Sequence, residues 1–215
     1  MLKEKEINYI FETLKKEYNN FEDTELRYFN HYQLLISIML SAQATDRSVN
    51  LATQKLFQIL QTPEDAIKLG YEKINNYIKT INYHNIKSQN IIKLSKKLID
   101  EYKSKVPDNF KDLVKLNGIG RKTANVFLNI AYNKSTIAVD THVFRSSNRL
   151  GIVKAKNVIE TEEQLIKNVN YKYHKDINKL LVLFGRYVCK AKNPHCLDCK
   201  FNKFCTFCND KKNKL

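Results

Sequence analysis

The stretch 116–142, LNGIGRKTANVFLNIAYNKSTIAVDTH, decides how this chain folds. Only five glycines occur in 215 residues, and two of them, Gly118 and Gly120, stand directly before the pair Arg121-Lys122. Apolar residues at helical spacing flank the glycines, so the stretch reads as a hairpin between two short helices, with the second beginning near residue 120. Glycine permits positive φ and close backbone approach. The amides of such a turn and of the helix start point outward and together bind an anion. Cations in a first helical turn oppose the helix dipole, at about 0.3–1 kcal/mol each when exposed. A phosphate at the turn would offset that cost. The same turn also serves as a plain connection between helices, so the glycines alone do not establish a ligand.

Composition points to a polyanion. Lys and Arg number 37 against 22 Asp and Glu, a formal charge of +15, and nucleic acid is the usual partner of such a chain. The competing account is codon bias: the chain is rich in Lys, Asn and Ile and has six Arg, so scattered lysines could be solvated surface. No run approaches the roughly 18 apolar residues of a membrane span. The opening MLKEKEINYIFETLKK reads as an amphipathic charged helix without a cleavable apolar core. The expectation is a cytoplasmic, nucleoid-associated protein that touches no membrane and works as a monomer. Thiols stay reduced there, and all five cysteines follow residue 188, which points to a metal site.

Helical periodicity recurs along the chain and no alternating strand stands out, so the fold class is all-α. Helices are expected at 31–43, apolar nearly all round and hence through a core, and at 46–60, with Thr45 or Asp46 as the cap. Thr62-Pro63 starts a short helix, and further helices follow at 71–79 and 85–103, the latter ending before Pro107. A short helical piece after Asp108 leads into the glycine turn and a helix at 120–132, broken by NKST. Others begin near Asp140 and span 156–168 and 174–188. The last segment is poor in apolar residues, so a metal would have to organise it.

Three features carry chemistry. Lys122, exposed to the positive end of a helix and beside Arg121, sits where a neutral amine is favoured, and only a neutral amine is a nucleophile; the plainer role is a phosphate contact. Asp140 in AVDTH reads as an N-cap, and a carboxylate held by amides can also stabilise a developing positive charge. His142 could join that site or be structural. Finally, Cys189, Cys196, Cys199 and Cys205 form C-x6-C-x2-C-x5-C with Cys208 left over. Four thiolates so close suit a [4Fe–4S] cluster, while pairing 196/199 with 205/208 would make a small zinc ribbon. Lys190, Lys192 and His195 lie in the first cysteine loop and would offer charge to a phosphate.

LSAQATD (40–46), LNGIGRKTANV (116–126), AVDTHVFR (138–145), GRYVC (185–189) and the cysteine spacing, in that order, resemble the endonuclease III family of the helix-hairpin-helix superfamily. The resemblance runs from about residue 25 to 205. It implies two helical lobes flanking a DNA-binding groove: a six-helix lobe at 23–134 holding the hairpin motif (about 109–132), and a lobe of 1–22 with 135–215 carrying a [4Fe–4S] cluster loop at 189–205. It implies a base excision repair glycosylase that removes oxidised pyrimidines from double-stranded DNA and cleaves abasic sites by β-elimination. Lys122 would be the Schiff-base nucleophile and Asp140 its assistant, facing it across the groove. Gln43 would fill the vacated space, and Tyr83 would stand at the wedge position. Gly118, Gly120 and Arg121 would meet phosphate. Departures from the family pattern are Asn117 for a common Pro, Tyr83 for Leu, Val114 for an acidic residue, and Asn193 and His195 at sites often cationic. Two other readings share parts of the pattern. An adenine-mismatch monofunctional glycosylase usually lacks the lysine, and a non-enzymatic metal-containing DNA-binding protein would not need Lys122 with Asp140.

Overall fold

The computed structural model describes residues 1–212, and every regular element among them is helical. In chain order these are α1 (Glu4–Glu17), α2 (His31–Leu40), α3 (Asp46–Ile59), α4 (Pro63–Ile78), α5 (His84–Tyr102), α6 (Phe110–Leu113), α7 (Arg121–Tyr132), α8 (Thr141–Leu150), α9 (Val158–Asn168), a 3-10 turn (Tyr171–Tyr173), α10 (Ile177–Tyr187) and α11 (Thr206–Lys212). They form two compact units, Thr24–Asn133 and Met1–Asp23 with Lys134–Leu215. None of the described helices is long and apolar enough to cross a membrane.

In the unit Thr24–Asn133, α2 is the central rod. Leu34, Leu35, Ile36, Ile38, Met39 and Leu40 are all buried, each such side chain contributing about 1.5–3 kcal/mol by leaving water. Two of its polar side chains, Gln33 and Tyr32, are satisfied from inside. The Asn30 side chain accepts from the Gln33 amide (2.9 Å), and the buried Gln33 side chain donates to Phe57 O (2.8 Å) and Leu60 O (2.9 Å), closing the end of α3. The Tyr32 and Ser95 hydroxyls share a buried bond of 2.5 Å.

The expected helix 31–43 stops at Leu40. The reason is tertiary: Lys87, buried on α5, donates from Nζ to Leu40 O (2.8 Å) and Ala42 O (2.7 Å). Those carbonyls are met by an ammonium instead of the next helical turn, and the chain leaves the helix with Gln43 at φ 56°. Thr45, not Asp46, caps α3, its hydroxyl accepting from Ser48 N (3.2 Å). The short helix from Pro63 and the one expected at 71–79 run as one element, kinked at Gly70 (φ 74°, ψ 168°). At four residues α6 is too short to stand alone; Leu113, Leu116 and Ile119, all buried, hold it in the core.

In the other unit α1 buries Ile7, Ile10, Phe11 and Leu14. Phe11 stacks on Tyr173 at 5.4 Å, and Lys15 pairs with Asp176 at 2.7 Å. The helix expected from 174 starts at Ile177, because the 3-10 turn at Tyr171–Tyr173 precedes it. The tail also carries apolar packing that its composition conceals. Phe201 is fully buried against Phe184 (5.5 Å) and Tyr9 (6.2 Å), so the segment has an aromatic core of its own and goes on into α11.

Replacing Lys87 by Met keeps the stem and strands two carbonyls, so Lys87→Met should lower unfolding free energy by about 1–3 kcal/mol in denaturant titration. Burial holds the Lys87 pKa below its ordinary 10.5. The folded chain therefore releases this proton before the unfolded one does, and stability should gain from this group as pH rises from the lowered value towards 10.5. That increment should vanish in Lys87→Met.

Candidate nucleic-acid and catalytic site

The two glycines of the hairpin do different work. Gly118 sits at φ +80°, where a Cβ would meet the Met39 sulfur at 2.7 Å and Asn90 Nδ2 at 3.0 Å. The fold itself requires that glycine. Gly120, at φ −89° and ψ 175°, has nothing within 4 Å of where a Cβ would lie. Neither strain nor neighbours demand glycine there, which leaves its outward face open to an external group.

Gly120 is the N-cap of α7 and provides no side-chain cap. In the same unit α2, α3, α4 and α6 are each capped by a side chain, from Asn30, Thr45, Thr62 and Asn109. The start of α7 therefore lacks the side-chain acceptor that those helices have. Arg121 places its guanidinium 5.1 Å from the Phe110 ring centroid, a cation–π contact that offsets its unfavourable place in the first turn. Lys122, next along, is exposed.

Helix α5 is the other element of this unit without a side-chain cap. Its N-cap is Tyr83, in the left-handed region at φ 60° and 61% exposed, so the ring is presented to solvent and not packed. Asn82 Nδ2 donates to Gln43 O at 3.1 Å. That bond joins the Tyr83 turn to the loop carrying Gln43, which is also exposed and left-handed. Lys87 grips the same loop through the carbonyls of Leu40 and Ala42. Gln43 and Tyr83 thus stand on neighbouring loops braced from beneath.

Asp140 belongs to the other unit. It is the N-cap of α8, with Oδ1 accepting from His142 N (2.8 Å) and Val143 N (2.9 Å). Both bonds use one oxygen, which fixes the carboxylate while sparing Oδ2. His142 Nδ1 lies 3.2 Å from Arg145 Nη2, so its ring is oriented by Arg145. Helices α8 and α10 approach closely at Gly185, where a Cβ would fall 3.0 Å from Ser146 Oγ and 3.1 Å from His142 Cβ.

Two arginines on α8 tie this helix to the cysteine loop. Arg145 donates to Gly185 O (2.9 Å) and Cys189 O (3.0 Å). Arg149 donates to Lys190 O (2.7 Å) and Ala191 O (3.2 Å), and its guanidinium lies 4.3 Å from the Phe207 ring centroid. Lys190 and Lys192 are exposed on that loop, with Lys190 Nζ 3.5 Å from His195 Nε2. Asn193 supports the turn at φ 48°.

All five cysteines line one small cavity, walled by Leu150, Phe184 and Phe207. All five are free thiols, and four are buried. Cys208, left over in the spacing, sits among the others, since α11 carries it back to the cavity. Burial pushes the Cys199 thiol up to about 11 and raises Cys189 and Cys208 as well, with the Arg149 guanidinium opposing the rise at Cys189. Thiolates would need cations beside them here, and metal binding would release their protons. Among the described residues no three His, Cys, Asp or Glu side chains converge on one ion position. A tetrahedral zinc draws four ligands to about 2.0–2.3 Å of a single point. In a [4Fe–4S] cluster each thiolate has its own iron, so sulfurs spread round a cavity fit that group better.

Lys122 with Gly118, Gly120, Arg121, Gln43 and Tyr83 therefore falls in one unit, and Asp140, His142 and the cysteine loop in the other. Lys87, Arg145 and Arg149 escaped the sequence reading. The Arg145/Arg149 spacing of four, one face of a helix facing the cysteines, was the available signal; for Lys87 there was none.

Residues 36–170 match the model of the HhH-GPD superfamily of base excision DNA repair proteins. Endonuclease III of Rickettsia felis is 46% identical over 203 residues, covering 94% of this chain and 95% of its own. Endonuclease III of Escherichia coli K12 is 44% identical over 195 residues, covering 91% and 92%. A solved structure of a trapped endonuclease III–DNA covalent intermediate superposes with a TM-score of 0.91 at 38% identity, covering 99% of this chain and all of that one. With an all-helical fold, a glycine hairpin that opens on a lysine and a capped aspartate already in place, these matches make the chain a member of the endonuclease III family.

Proposed function

We propose that the protein excises oxidised pyrimidines from double-stranded DNA and cleaves the resulting abasic site through a lysine Schiff base. The observation that carries this reading is Lys122, exposed at the uncapped start of α7 beside a glycine whose outer face is open. A damaged base is swung out of the duplex, at least cost where stacking is already weak. Neutral Nζ of Lys122 attacks C1′, the C1′–N bond breaks, and the base departs with a proton. The sugar opens to an imine on Lys122. Loss of a 2′ proton then breaks the C3′–O bond and releases the 3′ phosphate.

Asp140 accepts the proton of the attacking amine and stabilises the cationic sugar. Its cap through Oδ1 holds the carboxylate rigid, and Oδ2 is the working oxygen. The amides of Gly118, Gly120 and the α7 start, with Arg121, hold a backbone phosphate. Gln43 and Tyr83, on their braced loops, occupy the space the base vacates; a tyrosine stacks there where an aliphatic residue would only wedge. Arg145 orients the His142 ring, and the His142 amide donates to the capped carboxylate. Cys189, Cys196, Cys199 and Cys205 hold a [4Fe–4S] cluster, which supplies a structural cross-link that presents Lys190 and Lys192 to phosphate. The reading goes with a monomer in the cytoplasm at the nucleoid.

Borohydride treatment during reaction with an oligonucleotide carrying thymine glycol or an abasic site should yield a covalent protein–DNA adduct, absent in Lys122→Ala. A protein that only binds DNA would give no adduct in either form. Asp140→Asn keeps a good cap and should slow turnover by about 100-fold or more, with little change in affinity for an uncleavable abasic analogue. The glycines should separate in the same assays. Gly118→Ala should cost stability, about 1–2 kcal/mol from the left-handed backbone alone. Gly120→Ala should cost less than that in stability and weaken DNA binding about tenfold.

A further inference from the structure

The family's spacing uses four cysteines, and this chain has a fifth that the fold returns to the same place. Cys208 is three residues beyond Cys205, and three residues on a helix bring two side chains to one face. Helix α11 begins between them, at Thr206. The Cys208 side chain is 6% exposed, lines the cavity with the other four, and has its thiol within hydrogen-bonding reach of the Cys196 and Cys205 thiols. A buried thiol in an apolar wall needs no such company for packing. The four other cysteines in the cavity are the ligands of one proposed group.

Resting on the cluster assignment above, we propose that Cys208 is a reserve ligand of the [4Fe–4S] cluster, able to take the iron held by Cys205. The exchange breaks the Fe–S bond of Cys205 and forms one to Cys208. The proton of the Cys208 thiol passes to the departing Cys205 thiolate, and no iron changes oxidation state. Cys205 is the partner because the two thiols are neighbours at the start of one helix. The sulfur partners of the Cys208 thiol are Cys196 and Cys205.

The test measures iron and acid-labile sulfide per chain, with the visible absorption of the cluster, on full-length protein purified without oxygen. Cys205→Ser, Cys205→Ala, Cys208→Ser, Cys199→Ser and the double variant C205S/C208S are compared with wild type, and far-UV circular dichroism checks helicity in each. The expected result is full iron and sulfide in Cys208→Ser, and most of it in both Cys205 variants. In Cys199→Ser and the double variant the content should fall several-fold further. Cys205 variants as iron-poor as the double variant would overturn the reserve role while leaving the cluster reading intact. A wild-type chain free of iron and sulfide would overturn both. Loss of iron in Cys208→Ser would also overturn it, by making Cys208 an obligatory ligand.

Discussion

At Gly118 the backbone turns at φ +80° in a space closed by the Met39 sulfur and Asn90. That close approach pins the hairpin to α2 and α5 at once, and the placement of the proposed site residues in this unit follows from it. With the turn fixed, α7 starts in one direction only, and its first amides, Arg121 and Lys122 are carried with it. The apolar side of the same turn is anchored by Leu113, Leu116 and Ile119. Lys122, the proposed nucleophile on a long flexible stem, gains from this, because the base of the stem no longer contributes disorder.

The neighbouring loops are held by the same kind of device. Lys87 ends α2 by meeting two carbonyls, and Asn82 bonds the Gln43 carbonyl, so two left-handed residues, Gln43 and Tyr83, are presented from a rigid floor. In the other unit α8 plays the corresponding part. One end caps itself with Asp140, and Arg145 and Arg149 along its length grip the carbonyls of the cysteine loop. Movement of that loop would therefore be felt along the helix that Asp140 begins.

The all-helical class and most helix positions were legible because apolar spacing at 3.6 residues is a local signal. The Asp140 cap was legible for the same reason: a carboxylate reaching amides two and three residues on is local chemistry. The end of α2 was not, since it depends on an ammonium 47 residues away in sequence, Lys87 to Leu40. Nor was the tail. Cys-rich and polar in composition, it conceals one aromatic, Phe201, that buries fully against two distant rings.

By itself, then, the sequence determined the helices, the glycine turn opening on a lysine, the aspartate at a helix start and the family that these motifs mark. All are short-range patterns, readable from spacing and residue type. Only the tertiary structure decided that Gly118 is required by packing while Gly120 faces open space, that Lys87 sets the loop of Gln43, and that Cys208 rejoins the other four thiols. Those depend on which atoms from distant segments share a few ångströms of space, and chain order carries no such distances.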